Sequence, residues 1–163
     1  MHRDIKSLNI FLKGANQIKL GDFGLAKQYK NDHKIPIEKA NNKNFELTSS
    51  RQVGTPFYLA PELFSPEGKY SPKSDIWAMG VILYELICLK YPFQGKDFDD
   101  LKQKILHDQF NPIKNFGNKV STELVDLANR MLNKVASERP STTEILQMKV
   151  IRKHAEQFGI SLP

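Results

Sequence analysis

Two short strand-like runs, Asn9-Ile10-Phe11-Leu12 and Gln17-Ile18-Lys19-Leu20, are joined by Lys13-Gly14-Ala15-Asn16, a turn composition. Together they predict one tight hairpin, and a hairpin this short fixes its flanks. Asn9 at its entry and Asp22 just past its exit fall on opposite arms of that hairpin. Immediately upstream runs His2-Arg3-Asp4-Ile5-Lys6-Ser7-Leu8-Asn9, in which Asp4 and Asn9 can turn toward the same centre from one loop.

These residue types suit one kind of chemistry. Asp4 can accept or orient a hydroxyl proton. Asn9 and Asp22 offer hard oxygen ligands to a Mg²⁺, an ion that keeps several waters and takes few protein groups. Lys6, two residues past Asp4 on an extended loop, points to the same side and brings a positive charge that can face a phosphoryl group. A lone His-Arg-Asp or Asp-Phe-Gly reads as a charged turn. Both in order, with Asn9 at its offset and Gly54-Thr55-Pro56-Phe57-Tyr58-Leu59-Ala60-Pro61-Glu62 behind them, match the phosphoryl-transfer template.

On these motifs the chain resembles the C-terminal lobe of a eukaryotic protein kinase over nearly all of its 163 residues. The resemblance implies a protein kinase-like α+β fold, truncated to the mainly helical C-terminal lobe with a short β-hairpin near the N-terminus. It divides the chain into a catalytic loop (2–9), an activation segment (22–62) and a helical subdomain (63–158), with the N-terminal lobe missing. By the same resemblance Asp4 is the catalytic base and Lys6 the phosphate-facing lysine. Asn9 and Asp22 hold Mg²⁺ and ATP, and Thr55 bridges the catalytic Asp and Lys. Lys6 followed by Ser7 is the serine/threonine pattern. The family's glycine-rich loop, its strand lysine and that lysine's glutamate partner are absent from these residues, so the chain alone is expected to bind ATP weakly and to turn over negligibly.

Hydrophobic residues at 40% and charged residues at 26% fit one soluble globular domain. Chains near this length bury about 68–70% of their unfolded surface, enough for a core. No signal peptide is evident, and the longest apolar run, Ile76 to Leu89, is interrupted at Glu85, which argues against a membrane span. The single cysteine, Cys88, excludes an internal disulfide framework, fits a reducing compartment and is expected to be buried and inert within a helix. A net charge of +6 comes from scattered lysines without interleaved aromatics, so it is read as a solvated surface and not as a nucleic-acid footprint.

The stretch from Gln28 to Arg51 is polar and poor in apolar residues, which predicts a loop. It carries Thr48, Ser49 and Ser50, a hydroxyl cluster that serves either solubility or regulation by phosphorylation, with Arg3 as the bidentate partner for a phosphate. In similar kinases the activating residue lies three before the glycine of Gly-Thr-Pro. Arg51 stands there, so Ser50 or a neighbour would have to substitute.

Further on, Ser74 and Asp75 are expected to open a helix that is apolar on nearly every face and therefore buried, with Trp77, Leu83, Tyr84 and Leu86 in the core. Asp75 reads as its N-cap, and the resemblance adds that an aspartate here holds the catalytic loop by its backbone amides. Glu62 and Arg139 each read as surface charges, while the resemblance pairs them. Leu124, Leu127, Ala128, Met131 and Leu132 follow a helical stripe capped by Ser121. Ser141 to Glu144 form a capping box, and Asp97 precedes Phe98, Leu101 and Ile105 in the same manner. His33, His107 and His154 show no metal-ligand spacing and are expected at the surface.

The wording from Met131 to Leu146 and from Lys73 to Phe93, with the motifs above, is most similar to the NIMA-related serine/threonine kinases; the calcium/calmodulin-type kinases share part of it. This implies protein substrates presenting Ser or Thr, cytoskeletal or ciliary proteins among them, and a cytoplasmic, cytoskeleton- or cilium-associated location. Neither nucleic acid nor membrane is expected as a partner. Two alternatives stay open: part of an active kinase, or a non-catalytic binding module that presents the groove around Gly54 to Tyr58.

Overall fold

The computed structural model describes residues 1–14, 17–28, 56–66, 68–113 and 120–162. Its hairpin pairs β1 (Ile10–Leu12) with β2 (Ile18–Leu20) antiparallel, in the register Ile10 to Leu20, Phe11 to Lys19 and Leu12 to Ile18. Lys13 N–H closes the turn on the Gln17 carbonyl at 2.7 Å, with Gly14 at φ 71°, where a side chain would be strained. The ladder runs one step past β1, because Gly21 N–H donates to the Asn9 carbonyl at 2.9 Å. A Cβ at Gly21 would stand 2.7 Å from the Phe11 ring, so a side chain here would have to push that exposed ring aside.

Helix α1 (Pro72–Cys88) is the axis on which the rest is assembled. It begins earlier than the Ser74-Asp75 pair suggested. Ser71 is the N-cap, its hydroxyl accepting from Lys73 N–H, and Ser74 completes a capping box by accepting from Ser71 N–H at 3.2 Å. Pro72 occupies the first turn, where a missing N–H costs nothing. Asp75 is therefore not the cap, and its carboxylate is free for another use.

Three groups of buried side chains radiate from α1. Trp77, Val81 and Tyr84 pack with Ala60, Leu63, Phe64 and Phe93, together with Leu101 and Ile105 of α2 (Phe98–His107) and Ala128 of α3 (Thr122–Met131). Ile76 meets Leu127, Met131 and Ile145, the last from α4 (Thr142–Gln147). Ala78 and Ile82 meet Ile5. The expected burial of Trp77 and Tyr84 is found, but Leu83 is only half-buried and Leu86 is 71% exposed. At about 3.6 residues per turn Leu86 lies half a turn from Trp77, on the face it shares with Met79 and away from the main core. Cys88, in the last turn, is half-buried and not fully enclosed.

The shorter helices follow their caps. Asp97 accepts from Asp100 N–H at 2.8 Å, Ser121 from Leu124 N–H at 3.3 Å, and Ser141 and Glu144 reciprocate at 3.2 and 2.7 Å. Leu127, Ala128, Met131 and Leu132 are buried on the stripe that Leu124 begins half-buried. Helix α5 (Lys149–Gln157) follows α4 directly and buries Ala155. Among the described residues no helix is long and apolar enough to cross a membrane.

Candidate active site

The loop before β1 is held from two sides. The backbone N–H groups of His2 and Arg3 donate to Asp75 Oδ2 and Oδ1 at 2.8 and 3.0 Å, and Tyr70 Oη donates to Oδ1 at 2.7 Å. A carboxylate one turn inside α1 thus receives three donors. Arg3 sits at φ 69°, a conformation costing an ordinary residue about 1–3 kcal/mol, and the Asp75 carboxylate is what holds it there. Burial, with the Asp75 charge and hydrogen bond, pushes the Tyr70 hydroxyl well above its usual range, so it remains a donor.

From the other side His2, itself buried, links the loop to the hairpin exit. Asp4 N–H donates to its Nδ1 at 3.3 Å, which leaves Nε2–H to donate to the Gly21 carbonyl at 3.0 Å. The Phe23 ring stands 4.8 Å from the imidazole. Met1 and Lys27 exchange backbone hydrogen bonds, 3.0 Å each way, and Arg3 Nε donates to the Leu25 carbonyl. The segment after Asp22 is therefore pinned alongside the loop at several points.

Within this frame the polar residues meet. Lys6 Nζ lies 2.8 Å from Asp4 Oδ2, and Asn9 Nδ2 donates to the same oxygen at 2.9 Å and to the Asp4 carbonyl at 2.8 Å. Two acceptors on one side identify the amino group of Asn9, so its carbonyl oxygen faces the other way. Because Gly21 pairs with Asn9 across the ladder, the next residue, Asp22, emerges beside it. Asp22 is at φ 58° and its Oδ1 accepts from Gly24 N–H at 3.3 Å. One carboxamide oxygen and one carboxylate on adjacent arms make a donor set that fits Mg²⁺, which is commonly held by one or two protein oxygens with phosphate and water completing the shell. Among the described residues no group of three or more His, Cys, Asp or Glu gathers into a denser metal site.

Glu62 and Arg139, read separately as surface charges, form a bidentate pair. Nη1 and Nη2 of Arg139 reach Oε1 and Oε2 of Glu62 at 2.9 and 2.8 Å. The remaining guanidinium N–H groups donate to the carbonyls of Asn133, Lys73 and Lys134, so all five donors are used. The Arg139 side chain is 0% exposed, that of Glu62 23%, and the guanidinium stacks 5.0 Å from the Trp77 ring. Burial alone would raise the Glu62 carboxyl, but the Arg139 hydrogen bonds and charge, helped by the Ser74 hydroxyl at 2.7 Å, outweigh it and hold the group below its ordinary range.

Thr55, Thr48, Ser49 and Ser50 lie outside the described residues, as does His33; His107 and His154 are exposed. The structure also brings in groups that sequence reasoning passed over. Tyr58 joins Ser7 to Glu85 by its hydroxyl, at 2.8 and 3.0 Å. Lys134 donates to the Lys104 and Ile105 carbonyls at the end of α2 and lies 4.3 Å from the Phe93 ring, where burial, opposed by Asp108, lowers its ammonium to about 8. A tyrosine in an aromatic run and a lysine in a basic chain carry no local signal of such contacts. Only the positioned partners reveal them.

Comparison with known proteins agrees with this geometry. The model of the protein kinase domain matches residues 1–151. The chain is 37% identical over 158 residues to the serine/threonine-protein kinase Nek4 of Mus musculus, which covers 97% of this chain and 18% of that protein. It is 39% identical over 152 residues to the G2-specific protein kinase nimA of Emericella nidulans, covering 93% and 19%. With the human serine/threonine-protein kinase Nek2 it shares 39% over 151 residues, covering 93% and 30%. The chain thus spans less than a third of the length of each of these three relatives. A loop bound to a hairpin, an aspartate inside α1 and a buried Glu-Arg pair, carried on a sequence of this similarity, place the chain in the protein kinase domain family.

Proposed function

We propose that these residues form the catalytic-loop and substrate-facing part of a serine/threonine protein kinase, which transfers the γ-phosphoryl group of ATP to a Ser or Thr hydroxyl of a protein. The observation that carries this is the bonded cluster of Asp4, Lys6 and Asn9 beside Asp22. Asp4 orients the acceptor hydroxyl and takes its proton. Lys6, already on the Asp4 carboxylate, would balance the charge of the transferring group, and by the family resemblance Thr55 would bridge the two. Asn9 Oδ1 and the Asp22 carboxylate would hold Mg²⁺, which when bound neutralises the phosphate oxygens. Asp75, Glu62 and Arg139 keep the loop and the segment before α1 in place. Thr48, Ser49 or Ser50 carries the regulatory phosphate, with Arg3 as its partner. By resemblance to the NIMA-related kinases, the substrates include cytoskeletal or ciliary proteins and the location is cytoplasmic.

A positioned base supplies about 10²–10⁴-fold, whereas enzymes reach at least about 10⁶-fold. The 163 residues are therefore expected to show negligible turnover alone, and transfer is measured on the full product of the natural transcript. Incubated with Mg-ATP and a Ser/Thr protein substrate, that product is expected to transfer phosphate, with kcat reduced about 10²–10⁴-fold in Asp4→Asn. Transfer that survives Asp4→Asn and Asp22→Ala unchanged would refute the assignment.

A further inference from the structure

Ser7 is the one residue between Lys6 and Asn9 whose side chain leaves the loop for another part of the fold. Its hydroxyl lies 2.8 Å from Tyr58 Oη, and Tyr58 Oη lies 3.0 Å from Glu85 Oε2. The proton positions follow from chemistry. An ionised carboxylate only accepts, so the single Tyr58 proton goes to Glu85, and the Ser7 hydroxyl must then donate to Tyr58. Burial, with Glu85 beside it, pushes the Tyr58 hydroxyl well above its usual range, which keeps it a donor.

The three residues come from three different pieces of the fold. Ser7 belongs to the 3₁₀ turn Ser7–Asn9, Tyr58 to the 3₁₀ turn Pro56–Tyr58, and Glu85 to the buried helix α1. The far side of the middle piece is fixed by aromatics: Phe57 stacks on Tyr91 with centroids 4.0 Å apart, and Tyr58 meets the Tyr91 ring edge-on at 5.8 Å. The rings hold Pro56–Tyr58 against the end of α1. Among the described residues, the Ser7 hydroxyl joins this turn to the loop bearing Asp4.

We propose that Ser7 is a positioning residue: through the one-way relay Ser7 to Tyr58 to Glu85 it registers the Pro56–Tyr58 turn against the catalytic loop, and so sets where a protein substrate lies relative to Asp4. This rests on the kinase function proposed above. Hydrogen bonds in series polarise one another toward the terminal carboxylate, so removing the first weakens the second. Ser7 touches neither the reacting atoms nor the metal-facing oxygens, and its loss bears on protein-substrate placement more than on nucleotide.

The test uses the full natural product and the variants Ser7→Ala, Tyr58→Phe, their double mutant and Ser7→Thr. For Ser7→Ala, KM for a protein substrate is expected to rise about 3- to 10-fold, in line with the loss of one hydrogen bond. KM for ATP stays unchanged, and Ser7→Thr restores the wild-type value. The double mutant should be no worse than Tyr58→Phe alone, because both break one chain. Equal shifts in the two KM values, additive losses, or no shift at all would overturn the inference. Amide hydrogen exchange at residues 57–60 is followed in the same variants. Faster exchange in Ser7→Ala but not in Ser7→Thr supports the relay even where no phosphate transfer is seen, an outcome that would count against the kinase function alone; unchanged exchange counts against the relay.

Discussion

Arg139 shows at the scale of one residue why a surface-looking charge can be structural. Its guanidinium is fully enclosed, spends all five donors and lies on Trp77, while its partner Glu62 keeps some contact with water. A pair taken this far out of water adds less stability than its Coulomb energy suggests, but removing one member strands the other. Glu62→Ala is therefore expected to destabilise the fold by about 3–5 kcal/mol. The pair also gives an acid dependence. The Glu62 carboxyl is held below its ordinary value in the fold, so the unfolded chain binds its proton first. Its stabilisation is complete above about pH 4.5, the ordinary glutamate range, and is lost as pH falls through the depressed folded value. Urea midpoints recorded from pH 6 to pH 3 should show the wild type and Glu62→Gln converging at the acid end. A constant gap between them would contradict the assignment.

For the elements, the contact between α1 and α3 is decided by one missing side chain. A Cβ on Gly80 would fall 2.8 Å from Met131 Cβ and 3.2 Å from the Leu132 side chain. Alanine is favoured over glycine in a helix by about 1 kcal/mol, yet forcing a methyl into a close-packed contact costs about 1–3 kcal/mol. The second effect wins, because Met131 and Leu132 are both buried and have nowhere to move. Gly80→Ala should thus lower the urea midpoint, and a rise would mean that α3 can shift outward. Interior glycine in a helix was visible in the sequence. Its purpose was not, since Met131 and Leu132 are brought to it only by the docking of α3.

Over the whole molecule, the described surface is uneven. Phe11, Leu12, Ile18 and Phe23 project from the hairpin and its exit, each more than half exposed, while in the helical body Leu86 and Leu89 are exposed at the end of α1. An apolar face of this kind promotes association. The 163-residue chain is expected to self-associate in sedimentation, and Leu12→Glu with Ile18→Lys, a cross-strand pair by register, should reduce it. Thermal unfolding should move little, because exposed substitutions typically stay within about 0.5 kcal/mol. Unchanged association in the double variant would show that the hairpin face is not responsible.

By itself the sequence determined what local patterns encode. The hairpin and its turn follow from composition, the caps at Asp97, Ser121 and Ser141 from spacing, and the family from motifs whose residues are contiguous in the chain. Tertiary structure decided what depends on distant partners. Asp75 looked like a helix cap because aspartate before an apolar run usually is one, but Ser71 takes that role and the backbone of His2 and Arg3 claims the carboxylate. Leu86 looked like core because its helix is apolar all round, and which faces are covered depends on where α2 and α3 pack. Ser7 and Tyr58 each sit in a legible motif, but nothing in either motif links one to the other. Hydrogen bonds between residues far apart in the chain leave no periodicity to read, and they exist only once packing has brought their donors and acceptors within about 3 Å.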